Sequence, residues 1–199
     1  MKILVVLAHP RPESFNHAIA AAAVGALRDC GHEVRCHDLY AEGFDPVLPG
    51  PEIDQDAPLP PALEQYCREL AQTEGVVIVH PNWWGQPPAI LKGWVDRVFR
   101  PGVAYRFQEG DCGEGVPQGL LKVRAAVVFN TSNTPAARER AVFGDPLETL
   151  WKNCIFGLCG VTAFFRRNFG VVVTSTLEER QGWLRQVRET IRHRFPPGS

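Results

Sequence analysis

Apolar residues run along this chain in two rhythms. Lys2-Ile-Leu-Val-Val-Leu-Ala8 and Gly75-Val-Val-Ile-Val-His80 are short, unbroken apolar runs rich in β-branched residues, as strands covered on both faces require. Residues 123–130 form a third such run, and residues 161–173 read as a further strand or strand pair. Glu33-Val-Arg-Cys-His-Asp-Leu39 alternates apolar and polar positions instead, like a half-buried edge strand. Between these segments the period lengthens. Residues 16–30, 62–74, 89–99, 145–159 and 177–195 read as helices, with Gly31 in the position that closes the first. Residues 41–61, rich in proline and acidic side chains, and the glycine-rich residues 100–122 read as irregular connections.

Strand and helix alternate five times. That pattern predicts an α/β fold, a doubly wound five-stranded parallel sheet with helices on both faces, in the flavodoxin-like order 2-1-3-4-5. A chain of 199 residues suits one domain spanning residues 1–199. In that order the loops after the first, third and fourth strands, residues 9–16, 81–88 and 131–143, meet where the strand order reverses. Ligands bind at such a point in open α/β sheets.

Composition narrows the choice of ligand. A formal charge of −1 offers no electrostatic reason for a nucleic-acid partner, although Arg166-Arg167 could form a local basic patch. The arginines between 185 and 194 read as the solvated face of the last helix. No stretch reaches the about 18 apolar residues of a membrane span and no secretory cleavage pattern follows Met1-Lys2, so a cytoplasmic protein is expected. The six cysteines show no C-x-x-C spacing and read as reduced, buried filler, and the scattered histidines give no metal-site spacing. The Walker A pattern is missing, and so is G-x-G-x-x-G after the first strand. The glycine string from Gly110 to Gly119 follows no strand and reads as a surface turn.

The three loops differ in chemistry. In His9-Pro-Arg-Pro-Glu-Ser-Phe-Asn16 a strand feeds a helix N-terminus, whose unpaired N–H groups suit a phosphate. An ordinary connection in which Ser14 merely caps the helix is the alternative at this point. Pro81-Asn-Trp-Trp-Gly-Gln-Pro-Pro88 sets two adjacent tryptophans on a tight turn, and both cannot enter one core. Either one indole walls a site for a planar ring, or the pair anchors the loop to the next helix. Thr131-Ser-Asn-Thr-Pro135 adds hydroxyls and an amide, and taken by itself is a helix-capping turn. A phosphate end, an aromatic wall and a hydrogen-bonding edge together match a flavin.

His9-Pro-Arg-Pro-Glu-Ser-Phe-Asn-His-Ala18 and the run from His80 to Phe99, with its P-x-x-W-x-x-x-P-A-I-L-K-G-W pattern, resemble the NAD(P)H:quinone oxidoreductase family of DT-diaphorase-like flavoproteins. The resemblance continues through Ala104-Tyr-Arg-Phe107 and Gly144-Asp145 to Cys159-Gly160. It implies non-covalent FAD or FMN, reduced by NAD(P)H and reoxidised in a ping-pong cycle by a quinone or similar electrophile in the same cleft. His9, Ser14, Phe15, Asn16 and Ala18 would then surround the flavin phosphate and ribityl chain. Pro81, Asn82, Trp83 and Trp84 would flank the isoalloxazine, with Thr131, Ser132, Asn133 and Thr134 along its other edge. Trp84, Tyr105, Phe107 and Phe143 would meet the substrate, Tyr105 and Phe107 by reaching across a homodimer interface.

The chain also departs from the family. Animal members carry two glycines in the loop after the fourth strand, then a Tyr and a His that relay a proton. Here Asn133 and Thr134 stand at the glycine positions, no Tyr follows, and Phe143 lies where the His would be. Backbone amides, Asn82 or water would have to stabilise charge on the reduced flavin instead. Two alternative readings are a flavin-binding ancillary subunit of a potassium-efflux system, a role the resemblance extends to some bacterial relatives, and a flavodoxin-like electron carrier.

Overall fold

A computed structural model describes residues 1–108, 110 and 114–198. Five parallel strands, β1 (Lys2–Leu7), β2 (Glu33–Asp38), β3 (Gly75–Pro81), β6 (Ala125–Thr131) and β7 (Phe164–Phe169), pair in the order β2-β1-β3-β6-β7. In order of strands along the sheet's main chain path this is 2-1-3-4-5, as expected. A separate antiparallel pair, β4 (Tyr105–Arg106) and β5 (Gln118–Gly119), lies within the glycine-rich connection. Gly119 is required there, because a Cβ would stand 2.2 Å from the Cys159 carbonyl carbon.

The strands' side-chain alternation divides the interior into two cores. Leu4, Val6, Val76, Ile78 and Val128 face α2 (Pro61–Gln72), α3 (Ala89–Val98) and the aromatic pair Trp151 and Phe156. Ile3, Val5, Leu7, Val77, Val79 and Phe129 face α1 (Phe15–Asp29) and α6 (Leu177–Arg194). Every residue of β3 is buried, which explains its unbroken apolar run. A capping box between Thr176 and Glu179 starts α6, and the Ser14 side chain caps α1.

Two segments depart from the expected elements, and a third takes one of the two forms expected of it. The helix expected over 145–159 is a short α-turn, α5 (Pro146–Thr149), that widens into a π-helix over Leu150–Gly157. Gly144 and Asp145 ahead of it both take left-handed backbone, so the chain turns sharply before Pro146. The loop over 131–143 carries its own structure, α4 (Ala136–Arg138) and a π-turn over Glu139–Phe143. Residues 161–173 hold one strand, β7, which parallel pairing with β6 limits to Phe164–Phe169.

Two expectations from composition are corrected. Arg166 forms no basic patch: its side chain is buried and bonded to Asp145, Glu148 and Asn130. The cysteines are not all core filler. Cys30, Cys67 and Cys159 are buried, but Cys36 on edge strand β2 and Cys154 on the π-helix are exposed, and Cys112 lies outside the described residues. Among the described residues no helix is long and apolar enough to cross a membrane, and no group of His, Cys, Asp and Glu is placed to hold a metal.

Candidate functional site

The C-terminal ends of β1, β3 and β6 open into a cleft of about 960 Å³. His9, Ser14, Phe15 and Asn16 line it from the first loop, and Pro81, Asn82, Trp83 and Trp84 from the second. Thr131, Ser132, Asn133, Thr134 and Phe143 line it from the third. Ala18 does not: it sits a turn inside α1, away from the lining. Tyr105 and Phe107 do not reach this chain's cleft either; their rings meet edge to face at 5.8 Å on the β4 hairpin. Arg11, Glu13, Gly85, Gln86 and Glu139 also line it from the three expected loops though not singled out there, and Pro146, Val172, Val173 and Arg180 line it from outside those loops.

At the α1 end, the Ser14 hydroxyl accepts the His17 backbone N–H and lies 2.9 Å from His17 Nδ1. His17 Nε2 lies 2.9 Å from Asp38 Oδ2 at the end of β2. Among the described residues, the first-turn N–H groups of Phe15 and Asn16 have no backbone acceptor, so they remain available to a ligand. Asn16 is buried and donates from Nδ2 to Thr131 Oγ1 at 2.9 Å, which ties the first loop to the third. Its Oδ1 is buried without any partner. A buried acceptor left unpaired costs about 1–3 kcal/mol, which a ligand donor would relieve. His9 accepts the Arg11 N–H at Nδ1 (3.1 Å), and burial holds its pKa below the ordinary histidine value.

The second loop is a tight turn in which Trp83 and Gln86 exchange backbone hydrogen bonds at 3.0 and 2.9 Å. Trp84 has φ 56° and is 99% exposed, so the turn presents this indole to solvent rather than to a core. Trp83 stays nearer the first loop, with its ring 6.2 Å from His9. Gly85 has φ +71°, and a Cβ there would meet Pro146 Cγ at 2.7 Å. Asn82 is fixed from both ends: Nδ2 donates to Glu139 Oε1 at 3.1 Å, and Oδ1 accepts the Gly85 N–H at 3.0 Å. Glu139 is buried on the π-turn, so a carboxylate of the third loop sets the amide of the second.

Beneath the cleft, His80 is fully buried. Trp151 Nε1 donates to its Nε2 at 3.0 Å, so Nδ1 carries the hydrogen and donates to the Pro81 carbonyl at 2.8 Å. Burial pushes its pKa down to about 4, which keeps the ring neutral. Arg166 sits beside this layer, donating to Asn130 Oδ1 at 2.7 Å, to Glu148 Oε2 at 2.9 Å and to the Asp145 carboxylate. Asp145 immediately precedes Pro146 in the chain, so this network sets the surface against which the tryptophan turn rests.

A doubly wound sheet with a loop-built cleft at its switch point defines a flavodoxin-like α/β protein. The chain belongs to that family: the model of the flavodoxin-like fold family matches residues 1–191. An uncharacterized NAD(P)H oxidoreductase of Haemophilus influenzae is 32% identical over 166 residues, covering 81% of this chain and 79% of the relative. Ribosyldihydronicotinamide dehydrogenase [quinone] of Mus musculus is 30% identical over 205 residues, covering 90% and 86%. The solved structure of Smu.1420 from Streptococcus mutans UA159 superposes with a TM-score of 0.83 at 31% identity, covering 97% of this chain and all of that one. The resemblance to NAD(P)H:quinone oxidoreductases is thus borne out across most of the sequence.

Proposed function

We propose that this chain is a flavin-dependent NAD(P)H oxidoreductase that passes two electrons to quinone-type acceptors. The observation that carries the reading is one cleft with three unlike walls: a helix N-terminus, a tryptophan turn, and a hydroxyl- and amide-bearing edge. The residues fit a flavin, FMN or FAD, held without a covalent bond. The N–H groups of Phe15 and Asn16 suit its phosphate, and the unpaired Asn16 Oδ1 suits a ribityl hydroxyl. Trp83 and Trp84 offer flat faces to the ring, while Thr131, Ser132, Asn133 and Thr134 supply hydrogen bonds along its edge.

A bound flavin supplies the two-electron carrier between the nicotinamide and the acceptor. The protein's part is placement and charge. Asn82 is held by Glu139 and Gly85, so its position toward the ring is preset. His80 exchanges no proton near neutrality, since both nitrogens are engaged and the ring stays neutral. Phe143 cannot ionise. Among the described residues the buried carboxyl in the cleft is Glu139.

One cleft for both substrates means alternating occupancy, hence a ping-pong cycle. We place the acceptor against Trp84 and Phe143, both exposed at the cleft mouth. A second copy of the chain would cover that mouth with Tyr105 and Phe107, which lie outside their own cleft. A cytoplasmic setting belongs to the same proposal. The test is to mix the purified protein with FMN and FAD, record flavin absorbance after gel filtration, and then follow NAD(P)H oxidation with a simple quinone. Retention of flavin and quinone-dependent turnover are expected; a colourless protein after both additions overturns the proposal.

A further inference from the structure

Ser14, His17 and Asp38 form a continuous hydrogen-bonded row that ends in the cleft. Asp38 lies outside the cleft lining and is fully engaged: Oδ1 accepts the N–H groups of Tyr40 and Ala41 at 3.2 Å each, and Oδ2 faces His17 Nε2 at 2.9 Å. A carboxylate only accepts, so Nε2 of His17 carries a hydrogen. In the neutral ring Nδ1 is then an acceptor, and the Ser14 hydroxyl spends its single hydrogen on it at 2.9 Å. The Ser14 oxygen also takes the His17 backbone N–H. With neutral His17 the cap therefore shows the cleft a lone pair, which is the wrong group for an anion. Protonation of Nδ1 reverses the row. Nδ1–H donates to Ser14 Oγ, the serine hydrogen turns to the ligand, and Asp38 balances the new positive charge.

We propose that this row is a proton-linked phosphate donor: one proton moves from solvent to His17 as a phosphate monoester binds, and Ser14 then donates its hydroxyl hydrogen to a phosphate oxygen. The inference rests on the flavin reading and names the terminal phosphate as the group recognised. It does not rest on the helix end alone, because the buried, unpaired Oδ1 of Asn16 on the same wall independently calls for a ligand. The titratable groups facing His17 are Asp38 from β2, at 2.9 Å, and His9 from the loop after β1, its ring edge-to-face at 6.3 Å, while Arg11 lies beside His9. Burial lowers the His9 pKa, and among the described residues His9 has no hydrogen bond to the row, whose members are Ser14, His17 and Asp38.

The test is calorimetry of the flavin-free protein at pH 7.5, titrated with FMN or riboflavin in two buffers of unlike ionisation enthalpy. That pH lies above the second phosphate pKa of about 6, so the ligand's own titration contributes little. FMN binding is expected to take up about one proton, and its affinity to weaken by up to about tenfold per pH unit above neutrality. Riboflavin, which lacks the phosphate, is expected to bind with no uptake. His17→Gln is expected to abolish both the uptake and the pH dependence. Ser14→Ala, with His17 and Asp38 intact, is expected to bind FMN without uptake and serves if His17→Gln does not fold. FMN binding without proton uptake, or with uptake that survives His17→Gln, overturns this inference and leaves the flavin reading standing. Failure of FMN to bind overturns this inference, and failure of FAD to bind as well overturns both.

Discussion

Arg166→Met removes a guanidinium that is 6% exposed and replaces it with an apolar chain of similar reach. Its three partners suffer unequally. Asn130 is fully buried, so its Oδ1 is left without a donor, at about 1–3 kcal/mol. Asp145 and Glu148 are 24% and 44% exposed, so water replaces part of what they lose. The sum is about 3 kcal/mol, the low end of the range for breaking a buried ion pair. In a domain of this size that corresponds to a fall in Tm of roughly 6–12 °C. Flavin affinity should fall as well, because Asp145 leads into Pro146 and Pro146 abuts Gly85 of the tryptophan turn. Urea unfolding of the wild type, Arg166→Met, Asp145→Asn and the double variant measures the terms separately. Once Asp145 carries no charge, losing Arg166 costs less, so the double variant should be more stable than the two single losses added together, by about 1 kcal/mol or more. A single-variant loss below about 1 kcal/mol, or strict additivity, would refute the view that Arg166 holds this segment through Asp145.

Three further outcomes follow from the same geometry. His80 titrates near 6.5 when unfolded and near about 4 when folded, so its contribution is present above pH 6.5 and is lost as pH falls toward 4, about 3 kcal/mol in all; His80→Gln should flatten that acid limb in urea melts at pH 7, 5.5 and 4.5, and an unchanged limb would count against it. Trp84→Ala should leave unfolding free energy within about 0.5 kcal/mol, because the side chain is 99% exposed, while raising KM for the quinone; a large loss of stability would mean that the indole is covered in solution. Gly85→Ala should cost about 1–2 kcal/mol for its left-handed backbone alone and weaken flavin binding through the clash with Pro146, as read by melts and a flavin titration.

Much of the sheet was legible because burial on both faces leaves an unmistakable trace. Val76 to Val79 is apolar throughout, and in the fold each of these residues is buried, as are Gly75 and His80 at either end. The helix starts at Ser14 and Thr176 were legible for a local reason as well, since a cap is written in adjacent residues. The segment over 145–159 was not. The left-handed Asp145 that opens it is bonded to Arg166, 21 residues away, a tie that no local pattern records. Arg166 itself was misread for the same reason: two adjacent arginines on a strand point to opposite faces, and only the tertiary fold decides which one meets carboxylates.

The site divides along the same line. The loops that meet at the switch point follow from strand order, and most of the residues expected there do line one cleft. Arg180 could have been found too, because the Thr176 and Glu179 capping box starts α6 just beyond the C-terminal end of β7 and places the next residue at the cleft rim. Glu139 and His17 carry no such mark. Each matters through a partner distant in sequence, Asn82 for one and Asp38 for the other, and neither pair has a spacing that recurs. Strand order therefore locates the chemistry, while the side-chain networks that cross between loops decide which groups donate, which accept and which hold a proton. In this chain Glu139 and Asn82 join the second loop to the third, and His17 and Asp38 join α1 to the end of β2.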